Sequence, residues 1–260
     1  FEGNGGAAGH AKGVANVPWP GTPTPRIAET WGGLLNAIGL QNPGIDAVLA
    51  QKLPGLAQFY HQPVIMNISG FSIDEYVHCC AATDGTCEVI ELNVSCPNVH
   101  GGGMSFGASA EAAAQVTAAV REVVKESALF IKLSPNVTNI VAIAGACADE
   151  GADGLTLINT LQGMRIDVTT RRPVIAERMG GLSGPAIFPI AVRMIAQVRS
   201  ALDIPVMGSG GVASARDVLE MMMAGATGIQ IGAESLRNPL VIPQILEELP
   251  ALMDELGIER

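Results

Sequence analysis

The chain has 260 residues, 48% of them hydrophobic, enough to bury one large core. Its 15 basic against 25 acidic side chains give a formal net charge of −10, which excludes a nucleic-acid backbone or an anionic membrane surface as natural partner. The longest apolar stretches fall short of the ~18 residues of a membrane span, the opening Phe-Glu-Gly-Asn-Gly-Gly does not read as a signal peptide, and the five cysteines (79, 80, 87, 96, 147) lack metal-ligand spacing and read as reduced thiols of a cytoplasmic protein.

In chain order, short apolar or β-branched runs alternate with longer helical patterns, which predicts βα units around a parallel sheet. Strands are expected at 11–15, 63–68, 89–93, 129–133, 154–159, 205–208 and 228–231. Helix starts are marked by Asn42 before Pro43 and Asn238 before Pro239, each an amide ahead of a proline at the first helical position. Ser72 with Glu75 and Ser214 with Asp217 have capping-box spacing. The segment 163–184 shows no clear periodicity and reads as a long loop, functional or mobile. The class is therefore α/β, a (β/α)8 TIM barrel formed by residues 1–260 as a single domain. Such a barrel closes with eight strands. Seven are visible, so the first strand is expected upstream of Phe1, missing from the given N-terminus. An open doubly wound sheet ranks second, because its Gly-x-Gly-x-x-Gly turn after the first strand is absent.

Polar residues collect at the predicted C-terminal strand ends: Lys12, Asn67, Asn93 with Cys96 and Asn98, Lys132, Asn159 with Thr160, the turn Gly208-Ser209-Gly210-Gly211, and Gly232. One asparagine at a strand end is most often a turn residue; a succession of polar strand ends argues for a binding face there instead. Few carboxylates or histidines belong to the set, which argues against metal hydrolysis and paired-carboxylate chemistry. Backbone amides of the last two glycine turns, the second being Gly232-Ala233, suit one phosphate, so FMN fits better than a dinucleotide. Lys132 stands alone in an apolar strand, and a buried lysine without a partner is costly, so an anionic ligand or reduced flavin is its expected counterpart. For Cys79, Cys80, Cys87 and Cys147 the reading is small buried hydrophobes.

On these residues the chain resembles the class 1 dihydroorotate dehydrogenases, flavin enzymes of pyrimidine biosynthesis. The resemblance runs from about Lys12 to about Pro239 and rests on the blocks Thr24-Pro-Arg-Ile-Ala-Glu29, Leu35-Asn-Ala-Ile-Gly-Leu40, Asn93-Val-Ser-Cys-Pro-Asn98, Lys132-Leu-Ser-Pro-Asn136, Leu157-Ile-Asn-Thr160 and Gly180-Gly-Leu-Ser-Gly-Pro-Ala186. Gly101-Gly-Gly-Met-Ser-Phe-Gly107 and Ile166-Asp-Val-Thr-Thr-Arg-Arg-Pro173 are similar to the 1B subgroup, which passes electrons to NAD through a separate iron-sulfur/FAD subunit.

The resemblance implies oxidation of dihydroorotate to orotate, with hydride leaving C6 for FMN and a proton leaving C5 to Cys96 as catalytic base. A thiol with an ordinary pKa near 8.5 comes into range beside lysine or amide donors. The resemblance further implies substrate binding by Lys12, Asn36, Gly39, Asn93, Asn98, Asn159 and Thr160. It implies FMN binding by Lys12, Asn67, Asn93, Lys132, Ile158, Gly184, Gly210, Gly211, Gly232 and Ala233, a glycine lid from Gly101 to Gly107, and a homodimer, with no metal. Two departures stand out: no Ala-Ser-Gly flavin loop precedes Lys12, and Thr22 replaces the asparagine usual in the family. Alternatives are a fumarate-linked class 1A type, a pyrimidine-reducing flavin barrel as in dihydropyrimidine dehydrogenase, where histidine is typical at the position of Asn98, and a noncatalytic ligand-binding barrel.

Overall fold

The computed structural model describes residues 8–95 and 106–258, so Cys96, Asn98 and most of the expected lid lie outside the described residues. The strands in chain order are β1 (Gly9–His10), β2 (Ile27–Thr30), β3 (Gly33–Asn36), β4 (Val64–Ile68), β5 (Val89–Asn93), β6 (Ala128–Lys132) and β7 (Gly154–Leu157). They continue with β8 (Leu161–Met164), β9 (Ile166–Asp167), β10 (Arg172–Pro173), β11 (Met179–Ser183), β12 (Val206–Ser209) and β13 (Gly228–Gln230). The chain forms two compact units, one of Phe1–Pro23 with Ile38–Thr156, the other of Thr24–Ala37 with Leu157–Arg260.

In the first unit β1, β4, β5, β6 and residues 154–156 of β7 pair in that order, all parallel. Asn67 lies opposite Glu91, Glu91 opposite Phe130, and Phe130 opposite Gly154; further along, Asn93 lies opposite Lys132 and Lys132 opposite Thr156. Side chains alternate along a strand. One face therefore carries Asn67, Glu91, Asn93, Lys132 and Thr156, while the other carries Met66, Ile68, Ile90, Leu92, Leu129, Ile131 and Leu155, each 0% exposed. Burying such a side chain contributes about 1.5–3 kcal/mol, and the Ile73–Thr83 helix packs over β4 and β5. That helix starts where Ser72 Oγ accepts the Glu75 amide at 3.3 Å, and Glu75 returns a carboxylate oxygen to the Phe71 amide at 2.7 Å. Ser109 and Asn139 cap the Ala110–Arg121 and Ile140–Asp149 helices by accepting the Ala112 and Ala142 amides, without a returning carboxylate.

The second unit holds the parallel pair β12 and β13 and an antiparallel sheet in the order β2, β3, β11, β8. Ser214 caps the Ala215–Met223 helix as its spacing predicts, accepting the Asp217 amide at 3.3 Å. Among the described residues no helix is long and apolar enough to cross a membrane.

The α/β class and the strand succession of a (β/α)8 barrel are as expected, and six of the seven predicted parallel strands form at or within a few residues of their expected positions. Three expectations need correction. The first strand is not 11–15: the ladder runs through Gly9–His10, breaks at Lys12 and Gly13, and resumes as an isolated bridge between Val14 and Ile68. The segment 163–184 is no long loop but carries the second half of β8 and all of β9, β10 and β11. Its pattern hid because β11 uses glycine for close approach: a Cβ on Gly180 would stand 2.6 Å from the Asn36 carbonyl oxygen. Neither Asn42 nor Asn238 caps the following helix. Asn42 Oδ1 accepts the Gly44 amide at 2.9 Å and Asn238 Oδ1 the Leu240 amide at 3.1 Å, each closing an Asx turn ahead of the helix.

Candidate active site

The polar face of the first unit centres on Glu91, which is 0% exposed. Withdrawing a carboxylate from water costs several kcal/mol unless it is paired and hydrogen-bonded. Here Oε1 receives Asn67 Nδ2 at 2.7 Å, His10 Nε2 at 2.8 Å and Lys132 Nζ at 3.1 Å, and Oε2 receives Thr156 Oγ1 at 2.8 Å. An ionised carboxylate only accepts. Its neighbours are thereby fixed: His10 carries its proton on Nε2, and the Asn67 amide turns its nitrogen inward. The Asn67 oxygen then points toward Gly13, where an added Cβ would lie 2.7 Å away.

Lys132 therefore has a protein counterpart in Glu91, and the expectation of a lysine without a protein partner is corrected. The sequence offered a signal for Glu91, a lone acid alternating with Asn93 on one face of an apolar strand. His10 and Thr156 gave none, since a histidine or threonine in a strand is ordinary without knowledge of the carboxylate opposite.

Around this cluster the other candidates of the unit are held by backbone. Lys12, exposed, donates to the Gln41 carbonyl at 3.1 Å. The Asn93 carbonyl accepts the Tyr76 hydroxyl at 2.7 Å, and its Oδ1 accepts the Ser95 amide at 3.3 Å. Ser95, immediately before Cys96, is anchored by its hydroxyl to the Lys132 carbonyl at 3.0 Å. Gly39 takes a left-handed φ of 68° and packs against Thr22, whose amide would be 2.9 Å from an added Cβ. Ser69 Oγ is buried with no hydrogen-bond partner, 3.3 Å from where a Gly13 Cβ would stand.

In the second unit β7 runs out into Ile158, Asn159 and Thr160. Ile158 is 2% exposed and its amide donates to the Ser209 carbonyl at 2.8 Å; Asn159 Oδ1 accepts the Thr160 amide at 2.8 Å. Asn36 lies opposite Gly181 and donates from Nδ2 to its carbonyl at 3.4 Å. Thr160 fills the space that a Cβ on Gly181 would need, so Asn36 and Thr160 meet at this glycine. Gly184, Gly210 and Gly211 have φ values of 102°, 126° and 82°, conformations that favour glycine. A Cβ on Gly211 would come 2.7 Å from the Gly184 carbonyl oxygen, while one on Gly232 would meet nothing within 4 Å. The turn after β12 is closed against Gly184; the turn after β13, at Gly232-Ala233, faces open space.

The thiols separate by environment. Burial pushes Cys79, Cys87 and Cys147 each up to about 11, Cys79 further raised by the Glu75 carboxylate, and burial raises Cys80 still more. These four are protonated near neutral pH, as small buried hydrophobes should be, although Cys87 is only half-buried.

A family model described as dihydroorotate dehydrogenase matches residues 3–253. The catalytic subunit of dihydroorotate dehydrogenase B (NAD(+)) from Anoxybacillus flavithermus is 55% identical over 241 residues, 92% of this chain and 77% of that protein. Its counterpart in Geobacillus sp. strain WCH70 is 54% identical over 250 residues, covering 95% and 79% of the two chains. That of Bacillus cytotoxicus is 52% identical over 248 residues, covering 95% and 80%. With a match across nearly its whole length, the chain belongs to the dihydroorotate dehydrogenase family.

Proposed function

We propose that this chain is the catalytic subunit of an NAD-linked dihydroorotate dehydrogenase, a flavin-dependent oxidoreductase that oxidises dihydroorotate to orotate in pyrimidine biosynthesis. The observation that carries the reading is the similarity, at more than half of all positions, to proteins named as catalytic subunits of the NAD(+) enzyme. The same names favour NAD over fumarate as acceptor.

The residues present suit FMN. Gly184, Gly210 and Gly211 bring backbone together without side chains, Gly232 leaves room at the neighbouring strand end, and Lys132 and Asn67 offer a cation and a fixed amide on the polar face. Gly184, Gly210, Gly211, Gly232 and Ala233 would hold the ribityl phosphate, while Lys12, Asn67, Asn93, Lys132 and Ile158 would hold the ring. When bound, FMN supplies the hydride acceptor. The chain's own part is to bind the pyrimidine through Lys12, Asn36, Gly39, Asn93, Asn98, Asn159 and Thr160, and to take the C5 proton on Cys96. Residues 1–260 act as one FMN-binding barrel domain, paired as a homodimer in the cytoplasm and working with an iron-sulfur/FAD subunit.

Anaerobic addition of dihydroorotate to the yellow, FMN-loaded chain should bleach the flavin, and electrons should reach NAD only when the partner subunit is added. Cys96→Ser should retain FMN and orotate binding while slowing flavin reduction near neutral pH by about 10²-fold or more. Unchanged reduction kinetics would remove Cys96 as the base, and a chain that cannot take up FMN would end the reading altogether.

A further inference from the structure

Glu91 has no part in the roles assigned above, yet among the described residues it is the most completely buried charge of the first unit and touches two of the residues assigned to the flavin. Its donors come from four different strands, His10 on β1, Asn67 on β4, Lys132 on β6 and Thr156 on β7. A structural carboxylate would be satisfied by any neutral donors; this one is matched to a lysine whose side chain is 14% exposed, while Glu91 itself is 0% exposed. At 3.1 Å the two charges cancel at distances longer than their separation, so a ligand beside Lys132 meets a dipole instead of a full cation.

We propose that Glu91 is a positioning residue that sets the electrostatics of the flavin site, holding the Lys132 ammonium in place, offsetting its charge, and locking the Asn67 amide with its nitrogen inward. The inference rests on the flavin reading, because it takes Lys132 and Asn67 as ring contacts. Two-electron reduction of a flavin adds negative charge to the ring, which a nearby cation favours and a nearby anion disfavours. Glu91 therefore holds the flavin's reduction potential below the value that Lys132 alone would give. It also keeps Lys132 from binding other anions as an unbalanced cation.

The test is the midpoint potential of bound FMN, read by equilibration against a reference dye, in the FMN-loaded chain and three variants. Glu91→Gln, nearly isosteric, should shift the potential positive; Lys132→Gln should shift it negative; the double variant, neutral at both positions, should return toward the wild-type value. In the same proteins the flavin-free thermal midpoint should fall for each single variant and fall less for the double than the sum, the mark of a broken buried pair. If Glu91→Gln alone does not fold, the comparison of Lys132→Gln with the double variant still isolates the carboxylate, and a positive shift is again expected. A lowered thermal midpoint with an unmoved potential would reduce Glu91 to a structural role and overturn the inference. Failure of the wild-type chain to take up FMN is a separate result, which removes the flavin reading and the inference with it.

Discussion

Phe130 and Gly154 lie directly opposite one another on neighbouring parallel strands, and the ring of Phe130 occupies the space that a Cβ on Gly154 would need. The glycine serves packing here, since its backbone is not in the left-handed region. Gly154→Ala should therefore cost about 1–3 kcal/mol, the usual range for overpacking. Urea denaturation measures it, and Phe130→Leu in the same chain should recover most of the loss.

The two late glycine turns make different predictions for the stability of the flavin-free chain. Gly211→Ala forces a Cβ to within 2.7 Å of a carbonyl oxygen at a φ of 82°, so it should destabilise the flavin-free chain by about 1–3 kcal/mol as well as weaken FMN binding. Gly232→Ala meets nothing within 4 Å, and its flavin-free thermal midpoint should be unchanged. If the FMN phosphate lies where Gly232 is assigned, its dissociation constant should nonetheless rise about tenfold, roughly one lost or strained hydrogen bond. Flavin-free thermal midpoints separate the two cases, and fluorescence titration of FMN into the flavin-free variants checks the weaker binding expected of both.

Much of this was legible beforehand, and the failures share a cause. Strand runs such as Val89–Asn93 were readable because one face must be apolar against a helix, which leaves an alternation in the text. Ser72 and Ser214 were readable because a cap is a local interaction over three residues. Glu91 had a visible oddity but no visible partners, since its donors lie 24 to 81 positions away in sequence. β11 was invisible for the converse reason: Gly180 is glycine because of the Asn36 carbonyl on another strand, and a glycine pair read alone looks like a turn. Asn42 and Asn238 carried the right residues for caps, yet the amides close turns ahead of the helices.

Asp84 gives a pH-dependent test of stability. Burial pushes its carboxyl up, but hydrogen bonds from the Ser127, Lys125 and Glu126 amides outweigh this and hold it below its ordinary value. A depressed folded-state pKa contributes stability that is fully present above the unfolded value of about 3.9 and is lost as pH falls through the folded value. Asp84→Asn should thus destabilise by on the order of 1 kcal/mol at pH 7. The gap to wild type should start to narrow as pH falls below about 4 and close only below the depressed folded value, where the native carboxyl itself becomes neutral. Thermal midpoints of both proteins across pH 3–7 provide the check.

Alkylation tests the division among thiols. With pKa values pushed up to about 11, Cys79 and Cys147 hold on the order of one thiolate in a thousand or fewer near pH 7.5. Iodoacetamide on the native chain should leave them and Cys80 unmodified over an hour, as read by peptide mass spectrometry. Rapid labelling of Cys80 in the folded protein would contradict its burial. Unfolding in guanidinium should bring all five to similar rates.

The convergence of four strands on Glu91 also bears on how the chain finds its native alignment. Strand side chains alternate, so a one-residue slip of β1, β4, β6 or β7 would turn His10, Asn67, Lys132 or Thr156 toward the hydrocarbon side and strip the carboxylate of that donor. Each such misregister leaves a charge stranded out of water, at a cost of several kcal/mol that no apolar repacking returns. The network thus acts as a proofreader of assembly, allowing the first unit to close only when five strands are in step.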